Sequence, residues 1–193
     1  MVFAITADQV SSRRSADLVA ETLERLNSRG DLLLPAERTA GDELQLLTAE
    51  AGVALDIVLQ LSRAERWSIG CGIGEVLLPA SGSVREATGS ALVAAREAVD
   101  RAKRKPTRFA LAGPAESQHV GALVELLLTL RAKRTAEGWE LADLLATGMT
   151  QAAAASALGI SAQAASDRAI AAAWKVEVAA LPALTALLAR LDS

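Results

Sequence analysis

Residues 38–47 read RTAGDELQLL and place a tight turn between two apolar runs. The run before the turn, DLLLPAERT (31–39), and the run after it, ELQLLTA (43–49), have the length and composition of strands, and Gly41-Asp42 is a favoured turn dipeptide. We therefore predict a β-hairpin. Its tip carries two adjacent carboxylates, Asp42 and Glu43. Either the Gly41-Asp42 pair serves only to form the turn, or the turn places an acid where it can bind a ligand.

Strand-like and helix-like runs alternate on both sides of this hairpin. Short apolar runs predict strands; they lie at residues 2–7, 67–78 and 108–112. Apolar residues at helical spacing predict helices; they lie at residues 18–26, capped by Ser15, and at 51–61 and 89–103. The order β-α-β-β-α-β-α-β predicts an α+β fold for residues 1–112. We expect a ferredoxin-like or palm-type sheet with helices on one face.

The chain from residue 113 to residue 193 has a helical pattern throughout, and we treat it as a second, all-α domain. Thr150 caps one helix and Ser161 caps the next, with Gly159 at the turn between them. Ala155 and Ala165 are small residues that allow the two helices to cross closely. This spacing predicts a helix-turn-helix over about residues 150–173, and a plain α-hairpin is the alternative. In the C-terminal tail, Pro182 is expected to kink or restart the last helix.

Composition and charge exclude several classes of site. The chain has 193 residues, one cysteine, one histidine and a net charge of −3, so disulfides and Cys- or His-clustered metal sites are not expected. Nucleic-acid binding has to come from a local patch rather than from bulk charge. No apolar stretch approaches the roughly 20 residues that span a bilayer, and the N-terminus lacks the pattern of a signal peptide. We therefore expect a cytoplasmic protein.

A metal site is the functional hypothesis for the hairpin. In a palm-type sheet the first strand lies beside the hairpin, so Asp8 at the end of that strand would face Asp42 and Glu43. Carboxylate oxygens suit Mg²⁺, which in turn bridges nucleotide phosphates. The alternative is structural: Gly41-Asp42 forms the turn, and Asp8 caps the chain toward the first helix.

Three glycines and an arginine are candidates for nucleotide or phosphate binding. Gly70, Gly72 and Gly74 leave one strand face bare, which allows close approach either by a ligand or by a packed helix. Packing is the favoured interpretation, since no dinucleotide fingerprint surrounds them. Arg96 lies in a helix with an apolar opposite face and is a candidate phosphate ligand, in company with Gly72 and Gly74.

With these motifs in place, the chain resembles the SatD family of bacterial proteins. The resemblance rests on motifs in the same order: ADQVSSR with Asp8, Ser12 and Arg13, TAGDELQ (39–45), IGCGIGE (69–75), GSALVAAREA (89–98) and LGISAQAAS (158–166). It implies the two-part architecture more firmly than any activity. The first motifs are also similar, more distantly, to the palm of nucleotidyl and diguanylate cyclases. That similarity implies metal roles for Asp8 and for Asp42 or Glu43, although Ala40 and Leu44 depart from the cyclase pattern.

The second predicted helix of the helix-turn-helix would supply the contacts to DNA. Its candidate residues are Ser161, Gln163, Ser166 and Arg168. Gln163 could pair with adenine and Arg168 with guanine, whereas Asp167 would oppose phosphates. The low number of cations predicts weak DNA binding by one copy and a homodimer as the active form.

Two hypotheses of function follow, from different classes. The first is a DNA-binding transcriptional regulator whose N-terminal half senses a nucleotide or metal. The second is a Mg²⁺-dependent nucleotide-binding or nucleotidyl-transfer enzyme that uses the carboxylates. A plain interaction protein is the third interpretation.

Overall fold

The structure is a computed structural model that describes residues 1–10 and 16–191. Ser12, Arg13 and the predicted cap Ser15 lie outside the described residues. The strands are β1 (Val2–Gln9), β2 (Leu34–Arg38), β3 (Glu43–Thr48), β4 (Trp67–Gly74) and β5 (Phe109–Ala112). The described helices are α1 (Val19–Asn27), α2 (Ala51–Arg63), α3 (Ser90–Ala102), α4 (Ser117–Arg131), α5 (Ala136–Ala146), α6 (Gln151–Ala157), α7 (Ala162–Ala171) and α8 (Trp174–Arg190).

The strands form one mixed sheet in the order β2-β3-β1-β4-β5. β1 is central and pairs antiparallel with both β3 and β4, and β2 pairs antiparallel with β3 as the predicted hairpin. β5 pairs parallel with β4, so α3 is the crossover that a parallel pair needs. The α+β class is therefore confirmed.

Helices cover both faces of this sheet, so the expectation of helices on one face is wrong. On one face α3 lies so close that a Cβ on Gly72 would be 2.1 Å from the Ala91 carbonyl oxygen. The other face carries Cys71, which lines a small cavity together with Val58 of α2 and Leu188 of α8. The physical reason is the pattern of β4, whose bulky residues alternate with glycines. Both of its faces are buried, and each needs its own layer.

Two predicted elements end differently in the structure. The strand predicted to reach residue 78 stops at Gly74, and Leu77 makes only an isolated bridge to Thr88 before Pro79. Helix α8 continues through Pro182 without restarting, so the expectation of a restart there is wrong. A proline inside a helix loses one hydrogen bond but is tolerated where packing holds the helix; Leu184 and Leu188 of the same helix are buried.

The chain divides into two compact units. The first comprises Met1–Glu125 with Leu184–Ser193, and the second comprises Leu126–Ala183. The expected boundary between residues 112 and 113 lies inside the first unit, which continues into α4 as far as Glu125. The C-terminal residues return to the first unit through the end of α8.

The second unit is built from helices. A core of small and aliphatic side chains joins α5, α6 and α7: Leu141, Ala154, Ala155, Ala165 and Ala169. Within the described part of the chain, no single helix is long and apolar enough to cross a membrane. Helices α7 and α8 taken together are long and apolar enough, but the chain bends by 45° between them.

Candidate functional sites

Asp8 and Glu43 are direct neighbours across the sheet. Their Cα atoms are paired in the register of β1 and β3, so both side chains lie on the face that α3 covers. The Glu43 side chain is 4% exposed and that of Asp8 is 24% exposed. The sequence prediction that the first strand brings Asp8 to the hairpin agrees with this register.

Each of the two carboxylates is bound by a different cation: one lies within α3, and the other is the residue that follows its last turn. Lys103 Nζ lies 2.9 Å from Asp8 Oδ2, and Arg96 Nη1 donates to Glu43 Oε2. Thr39 Oγ1 donates to the other oxygen of Glu43 at 2.5 Å. Arg96 and Lys103 are seven residues apart, which places them two turns along one face of the helix. The buried Glu43 charge is thereby compensated, as burial demands.

The hydrogen bond from Lys103 to Asp8 raises the pKa of the lysine, although partial burial opposes that shift. Lys103 also lies 3.6 Å from Asp100. The ammonium therefore stays charged at neutral pH beside the Asp8 carboxylate, and a divalent cation has to displace it. A phosphate that attracted Lys103 and Arg96 would release both carboxylates at once.

Asp42 is placed differently from the other two acids. It is half-buried in the hairpin turn, where its backbone carbonyl accepts a hydrogen bond from the Gln9 N–H at 3.1 Å. Among residues 1–10 and 16–191, no group of three His, Cys, Asp or Glu side chains is arranged to hold a metal. The structure thus brings Asp8 and Glu43 together and leaves Asp42 in the turn. The carboxylate oxygens of Asp8 and Glu43 are the kind of ligand that a hard cation such as Mg²⁺ prefers. Water or phosphate oxygens would have to fill the other coordination positions of the ion.

The glycine-bare face is occupied by protein. A Cβ on Gly70 would lie 2.2 Å from the Val99 nitrogen, and on Gly72 it would lie 2.3 Å from the Ala95 nitrogen. Helix packing, the favoured interpretation, accounts for both residues. Gly74 contacts Ser90 at the start of α3 and also lines a cavity described below. Arg96, the predicted phosphate ligand, is bound to Glu43 with its side chain 51% exposed.

Helices α6 and α7 have the caps and turn that the sequence predicts. Thr150 and Ser161 accept hydrogen bonds from the N–H groups of Ala153 and Ala164, at 3.2 and 3.1 Å. Gly159 has φ of 65°, a left-handed conformation that glycine adopts without strain. Ala155 and Ala165 are buried where the helices meet. The prediction of two capped helices joined by a tight turn is confirmed.

The outer surface of α7 carries three of the predicted DNA-binding residues in exposed or half-exposed positions. Ser161 and Gln163 are exposed and Ser166 is half-exposed. The Gln163 side-chain amide donates to Asp167 at 2.9 Å. Arg168 is directed toward Glu140 of α5, with the two charged groups 3.9 Å apart. Arg168 is thus the one candidate residue whose charge faces another helix.

Charge in the second unit is balanced. Its basic residues are Arg131, Lys133, Arg134, Arg168 and Lys175, and its acidic residues are Glu137, Glu140, Asp143, Asp167 and Glu177. Arg131 and Arg134 both bind the buried Glu177, and their guanidinium carbons lie 4.8 and 4.7 Å from the centre of the Trp139 ring. This cluster was not predicted from the sequence. Its two arginines pair with Glu177 within the unit.

Lys103 and Thr39 are the other site residues that sequence reasoning missed. Lys103 belongs to the basic run 101–105 at the end of α3, where cations are favoured by the helix dipole alone. The signal that could have found it is its spacing of seven from Arg96, which repeats the face of α3. Thr39 lies four residues before Glu43 on the opposite arm of the turn, within reach across the hairpin.

No family model, curated protein or solved structure significantly matches this chain.

Proposed function

We propose that the protein is a DNA-binding transcriptional regulator and that α7 is its DNA-reading helix. The observation that carries the proposal is the α6–turn–α7 pair, with small buried residues at the crossing and Ser161, Gln163 and Ser166 on the outer surface. A helix of this kind fits the major groove with its N-terminal residues against base edges. A regulator acts on chromosomal DNA, so the proposal places the protein in the cytoplasm.

Two residues of α7 are the proposed base-reading contacts. Gln163 is exposed near the N-terminus of the helix and can pair with adenine once it leaves Asp167. Arg168 can pair with guanine once it turns from Glu140, since 3.9 Å with an exposed partner is a weak ion pair. Each good pair contributes about 1–3 kcal/mol of discrimination between bases.

The balanced charge of the second unit limits affinity. Phosphate contacts supply most non-specific affinity, and two of the five basic residues are bound to Glu177. We propose that the active form is a homodimer, which doubles both the base contacts and the phosphate contacts on one duplex.

Selection from a random pool of short DNA duplexes at low salt tests this proposal. The expected result is enrichment of one sequence by the wild type and its loss in Gln163→Ala. The matched control is Gln60→Ala, because Gln60 makes the same kind of contact to Asp56, four residues away, in the first unit. No enrichment by the wild type, or equal enrichment by both variants, would contradict the proposal.

A second candidate function is supported by the pairing of Asp8 with Glu43. We propose that the sheet is a palm-type, ferredoxin-like sheet and that its carboxylates hold Mg²⁺ with a nucleotide, with Asp42 joining from the turn. The chain order β-α-β-β-α-β and the sheet order support this proposal. Bound Mg²⁺ would bridge nucleotide phosphates, and Arg96 and Lys103 would transfer from the carboxylates to those phosphates.

Calorimetry of ATP and GTP with and without Mg²⁺ tests this second candidate. Binding should require Mg²⁺ and should be lost in Asp8→Asn, whereas Asp56→Asn, an exposed acid of α2, should leave it unchanged. Absence of Mg²⁺-dependent binding in the wild type would reject a metal site here. The DNA experiment is unaffected by that result.

A further inference from the structure

A large cavity lies at the end of the sheet where β4 and β5 finish. It has a volume of about 950 Å³ and is bounded by α3 on one side and the start of α4 on the other. Asp8 pairs with Ser68 near the beginning of β4, whereas Gly74 at its end lines the cavity. The cavity is therefore at the opposite end of β4 from the carboxylate pair, within the same unit.

Parallel strands direct ligands to this end of a sheet. In open sheets, ligands bind outside the carboxyl ends of parallel strands, and β4 and β5 are the parallel pair here. The residues after β5 are small or turn-forming, and a row of alanines and glycines keeps the cavity open: Gly74, Ala94, Ala112, Gly113, Gly121 and Ala122. A volume of this size is in the range of pockets that hold small molecules.

Ser117 has an unsatisfied hydroxyl at this cavity. The residue is 2% exposed, lines the cavity and is the first residue of α4, which has 15 residues. Its Oγ makes no hydrogen bond to any described residue. A buried polar group without a hydrogen-bond partner costs free energy, and this hydroxyl has no protein hydrogen bond to give up when a ligand arrives. Rotation about χ1 from one staggered rotamer to the next would turn the hydroxyl by about 120°.

The same end of the cavity favours an anion. The N-terminus of a helix carries partial positive charge, and α4 begins here, although the N–H groups of Ser117, His119 and Val120 already donate to the carbonyls of Pro114 and Glu116. Arg101 also lines the cavity, and one of its nitrogens donates to the Leu111 carbonyl at 3.1 Å. That contact fixes the guanidinium and leaves its other donors for an oxyanion. Nearby Lys105 is neutralised by Glu125 at 2.5 Å.

The rest of the lining suits an uncharged ring. Met1, Ile73, Leu111 and Ala94 supply apolar surface, and Glu97 supplies an acceptor at the rim. We propose that this cavity binds a phosphate-bearing small molecule of nucleotide size. Its phosphate would lie at the start of α4 against Ser117 and Arg101, and its ring over the alanine-lined floor. This site would be separate from both the DNA-reading helix and the carboxylate pair.

Calorimetry with the full chain tests the proposal, with EDTA present to remove any contribution from divalent cations. The probes are AMP, GMP, the matching nucleosides and inorganic phosphate. A nucleoside monophosphate is expected to bind at least about tenfold more tightly than its nucleoside. If inorganic phosphate binds as tightly as the nucleotides, the cavity is a simple phosphate site and the ring contact is rejected. If no phosphate-bearing probe binds at millimolar concentration, the whole proposal is rejected.

Variants locate the binding and separate it from folding. Arg101→Gln is expected to weaken nucleotide binding about tenfold, whereas Arg104→Gln, three residues on and outside the cavity lining, should bind as the wild type does. Ser117→Ala should weaken binding without lowering the melting temperature, because its hydroxyl has no partner in the protein. Asp8→Asn should leave this binding unchanged, which distinguishes it from the Mg²⁺ site. Equal binding by Arg101→Gln and the wild type would overturn the assignment.

Discussion

Asp8 and Glu43 lie opposite each other on β1 and β3, and each carboxylate is bound by a separate cation, Lys103 and Arg96. The arrangement is electroneutral as it stands. The side chains of Arg96 and Lys103 are 51% and 39% exposed, so both cations are accessible to a ligand from solvent. The site can therefore serve either as a structural charge cluster or as a ligand-dependent one.

The Lys103–Asp8 pair should give stability that depends on pH at the alkaline end. Because the hydrogen bond to Asp8 raises the folded-state pKa of Lys103, its stabilising effect is fully present below the unfolded pKa and is lost as pH rises through the folded one. Urea unfolding of wild type and Lys103→Gln should differ by less than about 1 kcal/mol at pH 8, since solvent screens this half-exposed pair. The difference should shrink above pH 10.5. A stability difference between wild type and Lys103→Gln that stays constant to the highest pH would contradict this role of the ion pair. Arg104→Gln is the control variant.

Gly72→Ala should destabilise the first unit strongly. The new Cβ would lie 2.1 Å from the Ala91 carbonyl oxygen and 2.3 Å from the Ala95 nitrogen, both backbone atoms of α3. We expect a loss of about 3 kcal/mol or more in the free energy of unfolding, measured by denaturant titration. Gly30→Ala is the matched control, because nothing lies within 4 Å of its Cβ position. Similar stabilities for the two variants would show that α3 does not pack against Gly72.

Glu177→Gln should destabilise the second unit. Glu177 is 3% exposed and binds both Arg131 and Arg134, so the substitution leaves two largely buried guanidinium groups without their counter-ion. Breaking a buried ion pair in this way costs about 3–5 kcal/mol. Thermal unfolding should show the loss, and Glu140→Gln, with a side chain 60% exposed, should change stability little. An unchanged melting temperature in Glu177→Gln would refute the buried cluster.

The Cys71 thiol should be inert in the folded protein. It is 3% exposed, and burial raises its pKa from 9.0 to about 12, so almost no thiolate is present at pH 8. Labelling by a thiol reagent should proceed only as fast as the protein unfolds, and it should become rapid in denaturant. Fast labelling in native buffer would show that the layer formed by α2 and α8 over Cys71 opens readily.

Local patterns determine much of this fold. The turn dipeptide at Gly41-Asp42, the apolar runs of the strands and the capped helices around Gly159 depend on residues close together in sequence, and the structure has all of them. The palm-type strand order also placed Asp8 beside the hairpin, because in that order the end of the first strand lies next to the turn. The glycines of β4 were correctly attributed mainly to helix packing.

Contacts between distant residues could not be predicted in the same way. Arg96 and Glu43 are 53 residues apart, and which face of the sheet α3 covers decides whether they meet. Ile69, Cys71 and Ile73 alternate with the glycines of β4 and were the available sign that both faces are buried. In the sequence, nothing distinguishes Glu177 from an ordinary surface acid. Only the packing of α8 shows that it lies between Arg131 and Arg134.

The most direct test of the central proposal is the NMR spectrum of the ¹⁵N-labelled protein during addition of a selected DNA duplex at low salt. The proposal predicts that the largest shifts fall in α7, including the side-chain amide of Gln163, while signals of the sheet stay in place. Shifts confined to other surfaces, or no shift at all, would contradict a DNA-reading role for this helix.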